Sequence, residues 1–219
     1  MKYSAFQFIF LFPIVCILPF IYSDKTVDVT LIPQFFFVSV VLLITIVFLI
    51  LFQNKKHLLF YNNFLFYSLV IYLLVSCASF FAAINKTESV FEIIKTGLFT
   101  CIVFIGCCVL YNDRQSKATL VQLFIISSLG LSIVGICQYF NIAFIDIPGN
   151  LIPHGTLGNR NVYVSALFLL LPFSIHGFLY PGNLWWKISA LVSVLLCLFI
   201  ICIGGMRATL LALIVVILF

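Results

Sequence analysis

Charge is what this chain has least of. Asp, Glu, Lys and Arg make up only 8% of its residues, against about 25% in soluble domains. Apolar residues make up 64%, against about 45–50%. So few polar groups cannot cover a surface in water, which excludes a water-soluble domain. The eight cysteines all fall inside apolar runs and show no Cys-x-x-Cys or Cys/His spacing. That excludes a zinc site of the usual kind and gives no disulfide framework, leaving cysteine as a small hydrophobe. Internal repeats and low-complexity linkers are also missing, so nothing marks a second domain.

What is present is a series of long apolar runs, at about 5–22, 31–52, 58–83, 91–111, 119–140, 161–180, 184–203 and 207–219. Polar clusters separate them, including Ser23-Asp24-Lys25, Gln53-Asn54-Lys55-Lys56-His57, Asn85-Lys86-Thr87-Glu88, Asn112-Asp113-Arg114-Gln115 and Pro181-Gly182-Asn183. Backbone groups in lipid must be satisfied within their own segment, and runs of this length do so as helices. At about 20 residues per crossing, the chain reads as an all-α, polytopic transmembrane helical bundle. The expectation is about seven full spans plus a truncated eighth. The last run, Arg207 to Phe219, is too short to cross about 30 Å at about 1.5 Å per residue. The whole of 1–219 is therefore expected to be a single transmembrane domain, the N-terminal part of a longer one.

The first run is preceded by Lys2 but interrupted by Pro13 and Pro19, and its exit, Phe20-Ile21-Tyr22-Ser23, lacks a small-x-small cleavage site. It reads as an uncleaved first helix. With the N-terminus in the cytoplasm, Lys2, Lys55, Lys56, Arg114, Lys117 and Lys187 fall inside, opposed only by Asp113. Outside, Lys25, Lys86, Lys95, Arg160 and Arg207 are matched by Asp24, Asp28, Glu88, Glu92 and Asp146. The whole formal charge of +5 then lies inside, as the positive-inside rule requires. Trp185-Trp186-Lys187 fits an anchor at the inner interface.

On the outer side lies a polar island, His154-Gly155-Thr156-Leu157-Gly158-Asn159-Arg160-Asn161. Asp146-Ile147-Pro148-Gly149-Asn150 ahead of it must turn, because Pro and Gly break a helix. Glycines let backbone N–H groups approach a ligand, and Asn159-Arg160-Asn161 stands where the next helix begins. A helix N-terminus with an adjacent arginine favours a phosphate. The plainer alternative is that Asn159 caps the helix and Arg160 reaches to water. Arg207 follows Gly204-Gly205 and opens the last apolar run on the same face. An intramembrane arginine is costly, and its default reading is functional. Two arginines on one face suit an anionic headgroup such as a pyrophosphate. Gln138, at the outer end of the fifth run, would face the same region, and Pro172 would kink the sixth run beneath it. Glu92 and Lys95 read as an i,i+3 pair, and His57 and His176 as solvated or structural.

Gln138, a short outer loop, Gly155-Thr156-Leu157-Gly158-Asn159-Arg160-Asn161 opening a helix with an internal proline, then Gly204-Gly205-Met206-Arg207-Ala208 opening another: this order resembles the O-antigen ligase and polysaccharide polymerase family. Family members show Gly-Thr-Phe-Gly-Asn-Pro-Asn in the first place and Ser-Arg-Gly or Ser-Arg-Ala in the second. Here Arg160 replaces the usual Pro and Met206 the usual Ser. The resemblance covers roughly residues 119–219; the first hundred match only as membrane helices.

The resemblance implies a membrane glycosyltransferase of the bacterial inner membrane, acting on its outer face in cell-surface polysaccharide biosynthesis. Such an enzyme moves a glycan from an undecaprenyl-diphosphate carrier to an acceptor glycolipid, polymer or protein. It needs no metal or cofactor, and nucleic acid is not among its partners. Arg207 matches the family's motif arginine, and Gly158, Asn159 and Asn161 its Gly-Asn-x-Asn; His154 and Arg160 are added from position alone. All six are expected to bind the diphosphate, while the catalytic base is expected beyond residue 219, leaving this stretch inactive alone. A lipid or anion transporter or flippase, and a non-catalytic assembly subunit, are the alternatives.

Overall fold

The computed structural model describes residues 8–26, 28–52, 64–110, 114–142, 147–180 and 183–218. Every regular element among them is a helix. These are α1 (Phe8–Phe20), α2 (Leu31–Phe52), α3 (Phe64–Ser79), α4 (Lys86–Leu110), α5 (Arg114–Tyr139), α6 (Arg160–Leu179), α7 (Leu184–Gly204) and α8 (Arg207–Leu218). A single 3-10 turn, Phe80–Ala82, extends α3. Five of the eight, α2, α4, α5, α6 and α7, are long and apolar enough to cross a membrane. The all-helical membrane reading therefore stands, with five helices of spanning length where the runs in the sequence suggested seven.

Pro13 and Pro19 remove backbone donors and crowd the preceding turn, so α1 widens to a π-helical stretch at Pro13–Ile17 and tightens to a 3-10 turn at Leu18–Phe20. The third run is described only from Phe64. The expected breaks at Gln53–His57, Asn112-Asp113 and Pro181-Gly182, together with Lys2 and Asp146, lie outside the described residues. Pro172 does not break α6, which runs continuously through it.

The chain divides into two compact units. The first comprises residues 1–10 and 35–117. In it α3 packs on α4, with Phe66 and Phe104 at 5.5 Å between ring centroids. Phe35 meets Phe91 edge to face at 5.6 Å, an arrangement that suits the ring quadrupoles. Thr45 is buried and donates to Val41 O at 2.6 Å within its own helix. Glu92 and Lys95 form the expected ion pair on α4.

The second unit comprises residues 11–34 and 118–219, and its core is the contact of α5, α6 and α7. Leu131, Tyr163, Val164, Leu167, Leu171, Cys197, Ile200 and Ile201 form one buried cluster. Lipid tails are as apolar as leucine, so helices in a bilayer are held by close packing and interhelical hydrogen bonds. Both are present. Ser128 of α5, Ser174 of α6 and Ser193 of α7 are fully buried and hydrogen bonded to one another, with Ser174 and Ser193 at 2.9 Å. One helical turn along, Ser132 of α5 meets Cys197 of α7 at 3.5 Å. This frame carries the segment between α5 and α6 on one end.

Candidate functional site

The loop ahead of α6 is closed at its neck. Asn150 N donates to Gly158 O at 2.8 Å, and Asn150 pairs with Asn159 in an isolated parallel bridge. Loops whose ends meet in this way pack on their own side chains. Here Pro153, His154, Gly155 and Thr156 are buried inside it, while Leu151 and Ile152 stay 68% and 54% exposed. The loop contains a cis peptide bond at Ile152-Pro153.

Three contacts anchor the loop to the helical frame. The side chain of Gln138, near the end of α5, donates through Nε2 to Gly155 O at 3.0 Å. Its Oε1 accepts from Gly155 N at 2.8 Å and from His154 N at 3.2 Å. Thr156 donates its hydroxyl to Pro19 O at the end of α1. Tyr163 of α6 lies under the loop and donates its hydroxyl to Leu131 O of α5 at 2.7 Å. Gly155 has φ +58° and rests on the Tyr163 ring, so a Cβ there would fall within the ring's contact distance. A left-handed backbone against an aromatic face requires glycine. Gly158, at φ +69°, turns the chain back toward the neck beside Thr30.

The predicted residues divide into two groups. His154 is 5% exposed. Its Nδ1 lies 3.0 Å from Gly155 O and 3.5 Å from Gln138 Nε2, which places its ring inside the loop as part of the packing. Asn159 is the N-cap of α6, its side chain accepting from Asn161 N at 2.9 Å. The capping interpretation of Asn159 is thus the observed one. That bond occupies one of the N–H groups a phosphate would need.

Arg160 and Arg207 are different. The Nε of Arg160 is buried and has no hydrogen-bond partner among the described residues, an uncommon state for a guanidinium nitrogen. Arg207 is exposed at the start of α8. Neither forms an ion pair with any described residue. They belong to adjacent helix beginnings, because the hydroxyl of Ser165, on the second turn of α6, donates to the thioether Sδ of Met206 at 3.6 Å. The Met206 sulfur also accepts from Thr209 at 3.0 Å. Met206, where the resembled family has Ser, thus joins the two helix starts. Asn161 is exposed on the first turn of α6.

Sequence reasoning placed Gln138 near this region without its role as the loop's anchor. It did not single out Tyr163, and it gave Thr156 no role beyond its place in the polar island. A lone amide at the end of an apolar helix is a signal for the first; a tyrosine or threonine gives none until its partner carbonyl is located in space. No protein-family model, curated protein or solved structure matches this chain.

Proposed function

We propose that the chain is part of a membrane glycosyltransferase that binds a polyprenyl-diphosphate-linked glycan where α6 and α8 begin, on the outer face of a bacterial inner membrane. The observation that carries this reading is a pair of cations without an ion-pair partner among the described residues, Arg160 with its buried unpartnered Nε and Arg207 exposed at the start of α8. Arginine forks bind phosphate oxygens in bidentate fashion. Charge that develops on a departing diphosphate is stabilised by fixed cations of this kind. The exposed Leu151 and Ile152 give the same loop an apolar edge, which suits a ligand with a polar head and a hydrocarbon tail. Asn161 supplies a neutral donor and acceptor for sugar or phosphate. The O-antigen ligase and polymerase resemblance supplies the reaction class, transfer of a glycan to a sugar or protein acceptor; the apolar runs support about seven full spans plus a truncated eighth, and the charge asymmetry a cytoplasmic N-terminus.

A transport function is less well supported. Among the described residues, the polar side chains deep in the α5–α6–α7 contact, Ser128, Ser132, Ser174, Ser193 and Tyr163, are buried and hydrogen bonded within that contact, so they line no path. The test is glycan transfer in membranes from cells expressing Arg207→Ala, Arg207→Lys or Arg160→Ala. The alanine variants are expected to lose about a hundredfold in transfer, with Arg207→Lys intermediate because lysine keeps charge but loses the fork. Normal transfer by both Arg207 variants would remove that residue from the reaction, and unchanged carrier binding by Arg160→Ala would return it to a solvent-facing flank.

A further inference from the structure

Gln138 exchanges hydrogen bonds with Gly155 in both directions, Nε2 to Gly155 O at 3.0 Å and Gly155 N to Oε1 at 2.8 Å. This is the pairing that two backbone residues make across adjacent strands, with a side-chain amide standing in for the second backbone. The same Oε1 takes His154 N. One side chain thus satisfies three backbone groups of a loop whose interior is shielded from water. At the other end of that loop stands Arg160, and Tyr163 beneath Gly155 connects the anchored peptide to α6.

We infer that Gln138 is a positioning residue: its carboxamide holds the Gly155 peptide, and through it fixes the loop in the form that presents Arg160 to the diphosphate. The inference rests on the diphosphate reading above, and it assigns Gln138 no contact with substrate. Its chemistry makes a specific demand. The group at position 138 must donate once and accept at the other oxygen. A protonated carboxylic acid meets that demand; a carboxylate, which only accepts, faces Gly155 O with a second acceptor and leaves it unpaired.

Gln138→Glu is therefore a titratable copy of the anchor, and Gln138→Leu removes it. The titratable side chains around the contact are His154 in the loop, Tyr163 in α6 and Cys137 in α5. Wild-type protein at each pH is the control. Amide hydrogen exchange of the loop, in the full chain in lipid nanodiscs, is compared with wild type at about pH 3.5, where an ordinary glutamic acid is mostly protonated, and about pH 8. Gln138→Leu should exchange faster at both values, by about tenfold or more for the lost bonds. Gln138→Glu should match wild type at the lower pH and Gln138→Leu at the higher. Binding of undecaprenyl diphosphate in the same nanodiscs should follow the same order.

Equal loop exchange in all three proteins at both pH values overturns the inference. Exchange that responds while diphosphate affinity stays constant also overturns it, because the anchor would then not position the site. If wild type fails to bind the diphosphate, the glycosyltransferase reading falls, and with it the positioning role, while the exchange data still report whether Gln138 holds the loop.

Discussion

Gly155 shows how much one residue can constrain when it has no side chain. Its φ of +58° and the Tyr163 ring beneath it exclude a Cβ on two separate grounds. Gly155→Ala is expected to destabilise the second unit by about 2 kcal/mol or more, from a strained backbone together with overpacking. Tyr163→Phe, which removes only the bond to Leu131 O, should cost about 1 kcal/mol. Unfolding in detergent with added denaturant measures both, and a smaller loss for Gly155→Ala than for Tyr163→Phe would contradict the packing described. Asp28 offers a test by pH. Its carboxylate accepts from Leu31 N and Thr30 N at the start of α2, and these bonds, that to Leu31 foremost, hold its pKa below the ordinary value. A lowered folded-state pKa contributes stability above the unfolded value, and that contribution disappears as pH falls through the folded one. The start of α2 should therefore lose exchange protection as pH drops below the usual carboxylate range, and Asp28→Asn should flatten that dependence.

Among the elements, α5, α6 and α7 depend on one another through the buried serines. Ser174→Ala or Ser193→Ala alone is expected to cost about 0.6–1.7 kcal/mol, the range of interhelical hydrogen bonds in bilayers. The double variant should cost less than the two singles together, because both remove the same bond; strict additivity would mean that the hydroxyls act separately. The helices themselves were legible from their apolar runs, and so was the Glu92–Lys95 pair, since both are local in sequence. Asn159 could be read as a cap or as a phosphate ligand, and only the bond to Asn161 N decides for the cap. The serine contact was not legible, because a lone serine in an apolar helix looks the same whether it faces lipid, its own carbonyl or a neighbouring helix. Gln138 was visible as an oddity, but its partner is 17 residues away across a loop whose closure no local pattern encodes. α1 is the case where local chemistry was decisive: its two prolines were in view, and they reshape the helix into π and 3-10 stretches.

At the scale of the whole molecule, the apolar exterior is the main fact. Ile50, Phe64, Phe81, Leu169 and Trp185 are all largely exposed, which is stable only with hydrocarbon around them. The proposed sidedness follows from charge alone and is directly measurable. Single cysteines at Asn150 and at Asn183, in a protein otherwise free of cysteine, should react with a membrane-impermeant maleimide from opposite sides of the membrane. Labelling of Asn150 from the cytoplasmic side and Asn183 from the outside would reverse the charge-based orientation and detach the candidate site from the outer face, and labelling of both from one side would mean that α6 does not cross.

The bond from Thr156 to Pro19 O has a consequence for the order in which the protein is made. Pro19 belongs to α1, and its partner lies 137 residues later. At about 5–20 residues per second, that carbonyl is without Thr156 for roughly 7–30 s, while helices are inserted one after another. That contact is completed only when the loop before α6 arrives, so the end of α1 is made well before it is fixed in place.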